Sequence, residues 1–317
     1  MTKRNILILS MGGTISSAGG GDSTDYEIGI RKVESLASDI PQIANLSFKE
    51  VANIDSALMD IKLLLKLSNE LNEALEDDNI HGVVVTHGTD TIEESAFFTH
   101  LTTRSKKPVI FTGSMRPTTS MLYDGYRNLY CAILVAINPN AFNKGVMIVM
   151  NNKIHSARYA TKSHTTDIGA FSSRCELGYI IDDGVYFNPL QINRELYFDV
   201  SKQYTLPNVP ILYSHICDIS DSLFNMFYNA DIGGVVMAAY GAGNLNNDYR
   251  ERFAWLIAKN IHIVISTRVS NGVVTLSRRD KENGFISAKD LNPQKASILL
   301  SLALCKGVGA GIIFSII

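Results

Sequence analysis

The chain has 317 residues, 46% of them hydrophobic, which is enough to bury two cores of ordinary domain size. Lys and Arg number 29 against 31 Asp and Glu, a net charge of -2, and no basic tract runs along the chain, so nucleic acid is not an expected partner. The apolar run Ile6–Leu9 is too short for a secretory h-region or a membrane span, which predicts a cytoplasmic protein with no membrane partner.

Short β-branched runs alternate with helical patterns along the first half. ILIL at 6–9 comes first, then a helical spacing over Asp60–Glu76, then GVVVTHG at 82–88. A helix over Glu93–Thr102, the strand PVIFTGS at 108–114, a helix over Gly125–Ile137 and the strand GVMIVM at 145–150 follow. Continuous apolar strands separated by helices predict an α/β fold with a mostly parallel sheet covered on both faces. Near Asn188 the rhythm breaks, and Pro189, Pro207 and Pro210 mark a linker. The expected organisation is a larger N-terminal domain over 1–188, a linker over 189–207 and a smaller C-terminal α/β domain over 208–317. Its expected elements are PILYSHI, GGVVMAAYG at 233–241, IHIVISTR at 261–268 and a closing helix near Asn292–Leu304. Cys131, Cys175, Cys217 and Cys305 are widely spaced, with no CxxC and no Cys/His cluster. Reduced, mostly buried thiols are expected, and neither a metal nor a cofactor.

In open parallel sheets, ligands bind beyond the carboxyl ends of the strands. Three predicted strands end there in small and polar residues: Met11-Gly12-Gly13-Thr14, Thr86-His87-Gly88-Thr89-Asp90 and Gly113-Ser114-Met115-Arg116. Equivalent ends would gather Thr14, Thr89, Asp90 and Ser114 around one crevice. Taken alone, each motif has a plainer reading: GGT as a tight turn, and Asp90 with Glu93 and Glu94 as a helix capping box.

Taken together, MGGTIS, VVTHGTDTIEESAFF, TGSMRPTTSMLYDGYRNLY, RYATKSHTTDIGAF and LNPQKASILLSLAL resemble, in order and over nearly the whole chain, the signatures of the bacterial-type L-asparaginase family. The resemblance implies an amidohydrolase converting L-asparagine and water to L-aspartate and ammonia through a threonyl acyl-enzyme. It implies Thr14 as the nucleophile, on a turn whose glycines let the backbone approach the substrate. A threonine hydroxyl needs a base within hydrogen-bond reach. The family pattern offers two, Tyr26 on the following loop or a relay through Thr89, Lys162 and Asp90, and both stay open here. Backbone N–H groups at Thr89 and Gly13 are expected to stabilise the oxyanion. Ser56, Gly88, Thr89, Asp90 and Ser114 are expected to bind substrate, Ser56 at its carboxylate and Asp90 at its ammonium. The glycine-rich Ala18–Ser23 reads as a closing lid that carries Tyr26. Asn244 matches a position presented to a neighbouring subunit's site, which implies a homotetramer built as a dimer of dimers with shared active sites.

The chain departs from the family pattern at the ammonium end of the substrate. Ala57 stands where the family has Gln or Glu, and Ser277-Arg278-Arg279-Asp280 has no Glu at the matching place, although Asp55 or Asp280 could substitute. Lost acceptors and an added guanidinium weaken the expectation of selectivity for free asparagine. Alternative substrates are L-glutamine, D-asparagine or an N-blocked asparagine, and the alternative class is a catalytically weak binding homologue. The apolar tail Gly307–Ile317 is expected to pack on its own domain or on a partner.

Overall fold

A computed structural model of the chain describes residues 3–19, 26–27, 29–190, 196–217 and 221–317. The chain divides into two compact units, Met1–Tyr204 and Thr205–Ile317.

The first unit is built on an eight-stranded sheet. Asn45–Ile54 lies at one edge, followed by Asn5–Gly12, Gly82–Thr86, Val109–Thr112 and Val146–Met150, all parallel. The strands Lys153–Ser156, Glu176–Ile181 and Gly184–Phe187 then extend the sheet antiparallel to the other edge. Every residue of Gly82–Thr86, Val109–Thr112 and Val146–Met150 is buried, as expected of central strands covered on both faces. The fold is therefore the mixed α/β class read from the sequence.

The edge strand Asn45–Ile54 escaped that reading. Its NLSFKEVANI is mostly exposed or half-buried, and polar residues interrupt the alternation that identifies a strand. The antiparallel extension was also unforeseen, since its strands are short and carry exposed Tyr179, Ile181 and Tyr186.

The helices cover the sheet for reasons visible in their sequences. Ile61–Glu76 starts at Asp60, whose carboxylate accepts from the Leu63 N–H (2.8 Å), and buries Leu64, Leu67, Leu71 and Leu75 at three- and four-residue spacing. Ile92–Thr102 is buried at every position but Glu94, polar residues included. Gly125–Ile137 packs Leu129, Ala132, Ile133 and Ala136 into a core that includes Ile8, Val84 and Ile110.

The second unit has a four-stranded parallel sheet ordered Ile211–Tyr213, Gly234–Ala239, His262–Thr267 and Ile286–Ser287. Helix Pro293–Cys305 begins at Asn292, which caps Lys295 N–H, with Pro293 in the first turn where a missing N–H costs nothing. The tail folds into the helix Ala310–Ile316, burying Ala310, Ile313 and Phe314 against its own unit. Only Cys131 is fully buried; Cys175 and Cys305 are partly so and Cys217 is exposed, which corrects the expectation of mostly buried thiols. No helix among the described residues is long and apolar enough to cross a membrane.

The buried histidines of the first unit include His87, after the strand Gly82–Thr86, and His155, in Lys153–Ser156. Burial lowers the pKa of each to about 4. Between pH 6.5 and 4 the unfolded chain therefore binds protons that the folded chain refuses, and stability falls as pH falls through that window. The expected loss is on the order of 3 kcal/mol per histidine by pH 4. Urea denaturation at pH 7 and pH 4.5 should show His155→Gln losing less stability than wild type; an equal loss would disprove this account.

Candidate active site

The strand Asn5–Gly12 ends on Gly12 and Gly13, whose φ angles are 87° and 83°. Side chains are strained there, and they would also find no room. A Cβ on Gly12 would lie 2.6 Å from Ile54 N, and one on Gly13 would lie 2.4 Å from Gly88 N. The turn bearing Thr14 thus packs main chain on main chain against two other places, Ile54 and 87–88. Gly13 N–H donates to Ile54 O (3.1 Å) and fixes one of those contacts. Being spent there, it is not available as the oxyanion donor expected from the sequence.

Ser56 opens the short turn Ser56–Leu58, whose start is capped by the Asp55 carboxylate accepting from Ala57 N–H (2.9 Å). Its hydroxyl accepts from Asp90 N–H (3.3 Å), and its carbonyl accepts from the Thr91 hydroxyl (2.8 Å). A Cβ on Gly88 would fall 2.5 Å from Ser56 Oγ. Thr14, Ser56 and Thr89 are each buried to within a tenth of their surface, while the Asp90 side chain is 61% exposed.

Lys162 reaches the same place from the two-stranded hairpin Ala160–Lys162 and Phe171–Ser173. Its Nζ donates to Thr89 Oγ1 (3.0 Å) and to Asp90 Oδ1 (2.5 Å), and only 17% of its side chain is exposed. Lys162 is therefore no solvated surface lysine. The capping-box alternative for Asp90 also fails: the helix cap is Thr91, which makes no side-chain cap bond, and Asp90 turns to Lys162 instead. Glu93 is a further residue that sequence reasoning missed. Its buried carboxylate accepts from Lys162 N–H (3.0 Å) and moors the hairpin to the helix Ile92–Thr102.

Ser114 is fully buried, and its hydroxyl serves the turn after Val109–Thr112. It bonds to Asp124 Oδ1 (2.6 Å) and Arg116 O (2.5 Å), while Asp124 also accepts from Met115 and Arg116 N–H. Gly113 brings this turn to the crevice, since a Cβ there would lie 3.4 Å from Thr89 Cγ2. His87 lies beneath it. Its Nδ1 is 2.8 Å from Gly88 O, an acceptor only, so Nδ1 carries the proton. Burial lowers its pKa to about 4, outweighing that hydrogen bond, so the ring is a neutral prop.

Tyr26 lies on the short strand Tyr26–Glu27, which pairs with Ala18–Gly19. Its hydroxyl is outside the described structure, as are residues 20–23 of the expected lid. Asn244 is exposed on a turn of the second unit, where its N–H donates to Tyr240 O (2.7 Å). Asp280 does not offer itself to a ligand. It is buried, bound by Arg250 Nε (2.7 Å) and Ser277 Oγ (2.6 Å). Burial pushes its carboxyl up, but those bonds prevail and hold it below the usual carboxylate range. Arg278 is 93% exposed and pairs with Glu282 (2.8 Å).

The Gly88 contact yields a direct test. Gly88→Ala should cost about 1–3 kcal/mol by overpacking against Ser56. Gly311→Ala, in a helix with nothing within 4 Å, should be neutral or stabilising by about 0.5 kcal/mol. Equal midpoints for the two variants in urea would contradict the close approach.

The family model described as "Asparaginase, N-terminal" matches residues 5–191, and "Glutaminase/Asparaginase C-terminal domain" matches 208–312. The chain is 42% identical to L-asparaginase 2 of Bacillus subtilis over 95% of its length and 83% of that protein's. It is 39% identical to L-asparaginase 2 of Escherichia coli, covering 95% and 88% respectively. The crystal structure of a probable cytoplasmic L-asparaginase from Campylobacter jejuni superposes with a TM-score of 0.94 at 41% identity, covering 99% of this chain and 98% of that one. With matching domains in both units and a polar crevice at the strand ends of the first, the chain belongs to the asparaginase family of amidohydrolases.

Proposed function

We propose that this protein hydrolyses L-asparagine to L-aspartate and ammonia, with Thr14 as the nucleophile. The observation that carries this reading is the Lys162 contact with Thr89 and Asp90, made beside the turn that presents Thr14. Thr14 Oγ attacks the side-chain amide carbon as its proton passes to a base. The C–N bond then breaks, the nitrogen leaves as ammonia with a proton, and water cleaves the resulting threonyl ester to release aspartate and restore the hydroxyl.

Lys162 would act through Thr89, whose hydroxyl it touches, whereas Tyr26 would act on Thr14 from the loop. Thr89 N–H is the proposed oxyanion donor, Gly13 N–H being engaged by Ile54 O. Ser56 and Gly88 hold the substrate carboxylate and Asp90 the ammonium, for which its exposed negative oxygens are suited. Ser114 acts one step removed, by shaping the turn beside Thr89. We further propose a cytoplasmic homotetramer, a dimer of dimers in which Asn244 of one subunit completes the site of another. Domain limits of 1–188 and 208–317 about a linker suit that division of labour.

Ammonia release from L-asparagine tests the chemistry. Thr14→Ala should lower kcat on the order of 10³-fold or more. Of Tyr26→Phe and Lys162→Met, the one that removes the base for the first step should cost about 10²–10⁴-fold and abolish trapping of a threonyl adduct. Full activity of Thr14→Ala would end the proposal.

Ala57 and Arg278 favour a second reading, activity on L-glutamine, D-asparagine or an N-blocked asparagine. Ala57 is exposed and offers no acceptor to an ammonium. Arg278→Glu should lower KM for free L-asparagine; unchanged KM and kcat would show that residue 278 lies away from the substrate.

A further inference from the structure

The turn that presents Thr14 is held largely from outside. Main-chain carbonyls in such a tight segment must find partners, and the source of each is informative. Gly13 O accepts from Ser16 N–H (3.1 Å) and from the Ser16 and Ser17 hydroxyls, and Thr14 O accepts from Ser17 N–H (3.1 Å). The next three carbonyls rely on residues remote from the turn. Ser16 O accepts from Arg31 N–H (3.0 Å), and Ser17 O from Thr118 N–H (2.8 Å) and Thr118 Oγ1 (2.7 Å). Ile15 O, one peptide beyond Thr14, accepts from the Tyr123 hydroxyl at 2.6 Å.

We propose that Tyr123 is a positioning residue for Thr14: its phenol, by holding the Ile15 carbonyl, fixes the turn that aims the Thr14 hydroxyl. The inference rests on Thr14 being the nucleophile and assigns the control of its orientation to a segment with no direct role in the chemistry. The phenol is built into its place. Gly125 lies against it, since a Cβ there would fall 2.1 Å from Tyr123 Oη and 2.2 Å from Cζ. Glycine in a first helical turn has no helical advantage, and here its missing side chain is the space the ring occupies. Tyr126 meets the ring edge-on, with centroids 4.9 Å apart at 82°. Burial and the neighbouring Asp124 raise the Tyr123 pKa, so the hydroxyl remains a proton donor and not a base. Tyr126 in turn bonds Arg31 and Asp39, so one aromatic pair holds the turn at Ile15 and at the residue that holds Ser16.

The test removes one oxygen. Tyr123→Phe keeps the ring and deletes the donor, and the control Tyr130→Phe deletes a phenol bond to Asp183 (3.0 Å) elsewhere in the unit. A small misplacement of a reacting group costs rate more than binding, so Tyr123→Phe should lower kcat about tenfold or more with KM within about twofold. Tyr130→Phe should leave both unchanged. Amide hydrogen exchange of Ser16 and Ser17 reads the turn without any turnover, and should quicken about tenfold in Tyr123→Phe but not in Tyr130→Phe. Gly125→Ala, which displaces the phenol, should reproduce both effects. Unchanged exchange over 13–17, an unchanged kcat, or equal losses in the two Tyr→Phe variants would each overturn the proposal. A fully active Thr14→Ala would sink the nucleophile assignment instead, and the exchange result would still decide whether Tyr123 fixes the turn.

Discussion

The site depends on backbone meeting backbone without side chains between. Gly12, Gly13 and Gly88 let three chain segments approach to distances at which any Cβ would collide with main chain or with Ser56. Because protein interiors are close-packed, such an approach cannot be relaxed locally and must be matched by the surrounding framework. The central parallel strands supply that framework. Asn5–Gly12 is flanked by Asn45–Ile54 and Gly82–Thr86, so the Thr14 turn, the Ser56 turn and the Thr89 turn emerge side by side from one edge of the sheet. Their adjacency follows from strand register.

Around this core the polar groups are mostly committed to one another. Lys162 joins Thr89 to Asp90, Glu93 holds the Lys162 main chain, Asp124 gathers the Ser114 turn and His87 props the Gly88 carbonyl. A site organised in this way meets its substrate with donors and acceptors already oriented, which is where electrostatic catalysis draws its strength. Asp90, though held by Lys162, is mostly exposed, and its open side is where a charged group on a substrate would add its own contact.

Much of the first unit was legible because its central strands are continuous apolar runs ending in Gly and Thr, a pattern with a direct physical meaning. The gathering of Thr14 and Thr89 was legible from equivalent strand ends, but Ser56 and Lys162 were readable only through resemblance, because nothing in the spacing of a single sequence brings residue 162 beside residue 89. Asp90 carried two readings at once, helix cap or ligand group, and side-chain geometry alone separates them. Glu93, Asp124 and Tyr123 left no readable signal. Each acts through a main-chain group or another side chain, and such work leaves no motif. Asp280, which looked able to replace a missing carboxylate, is consumed by Arg250, a pairing between residues 30 apart that sequence order conceals.

The hairpin that bears Lys162 stands apart from the eight-stranded sheet, pairing only with its own return strand. Its connecting stretch 164–169 is exposed and folded over the His164 ring, which accepts from the Thr166 and Asp167 N–H groups. Length can therefore vary at that tip while the lysine stays moored at its base by Glu93. A slip of one residue within the strand itself would turn the ammonium to the opposite side. The tip is thus a permissive place to graft foreign peptide, and the strand beneath it is not.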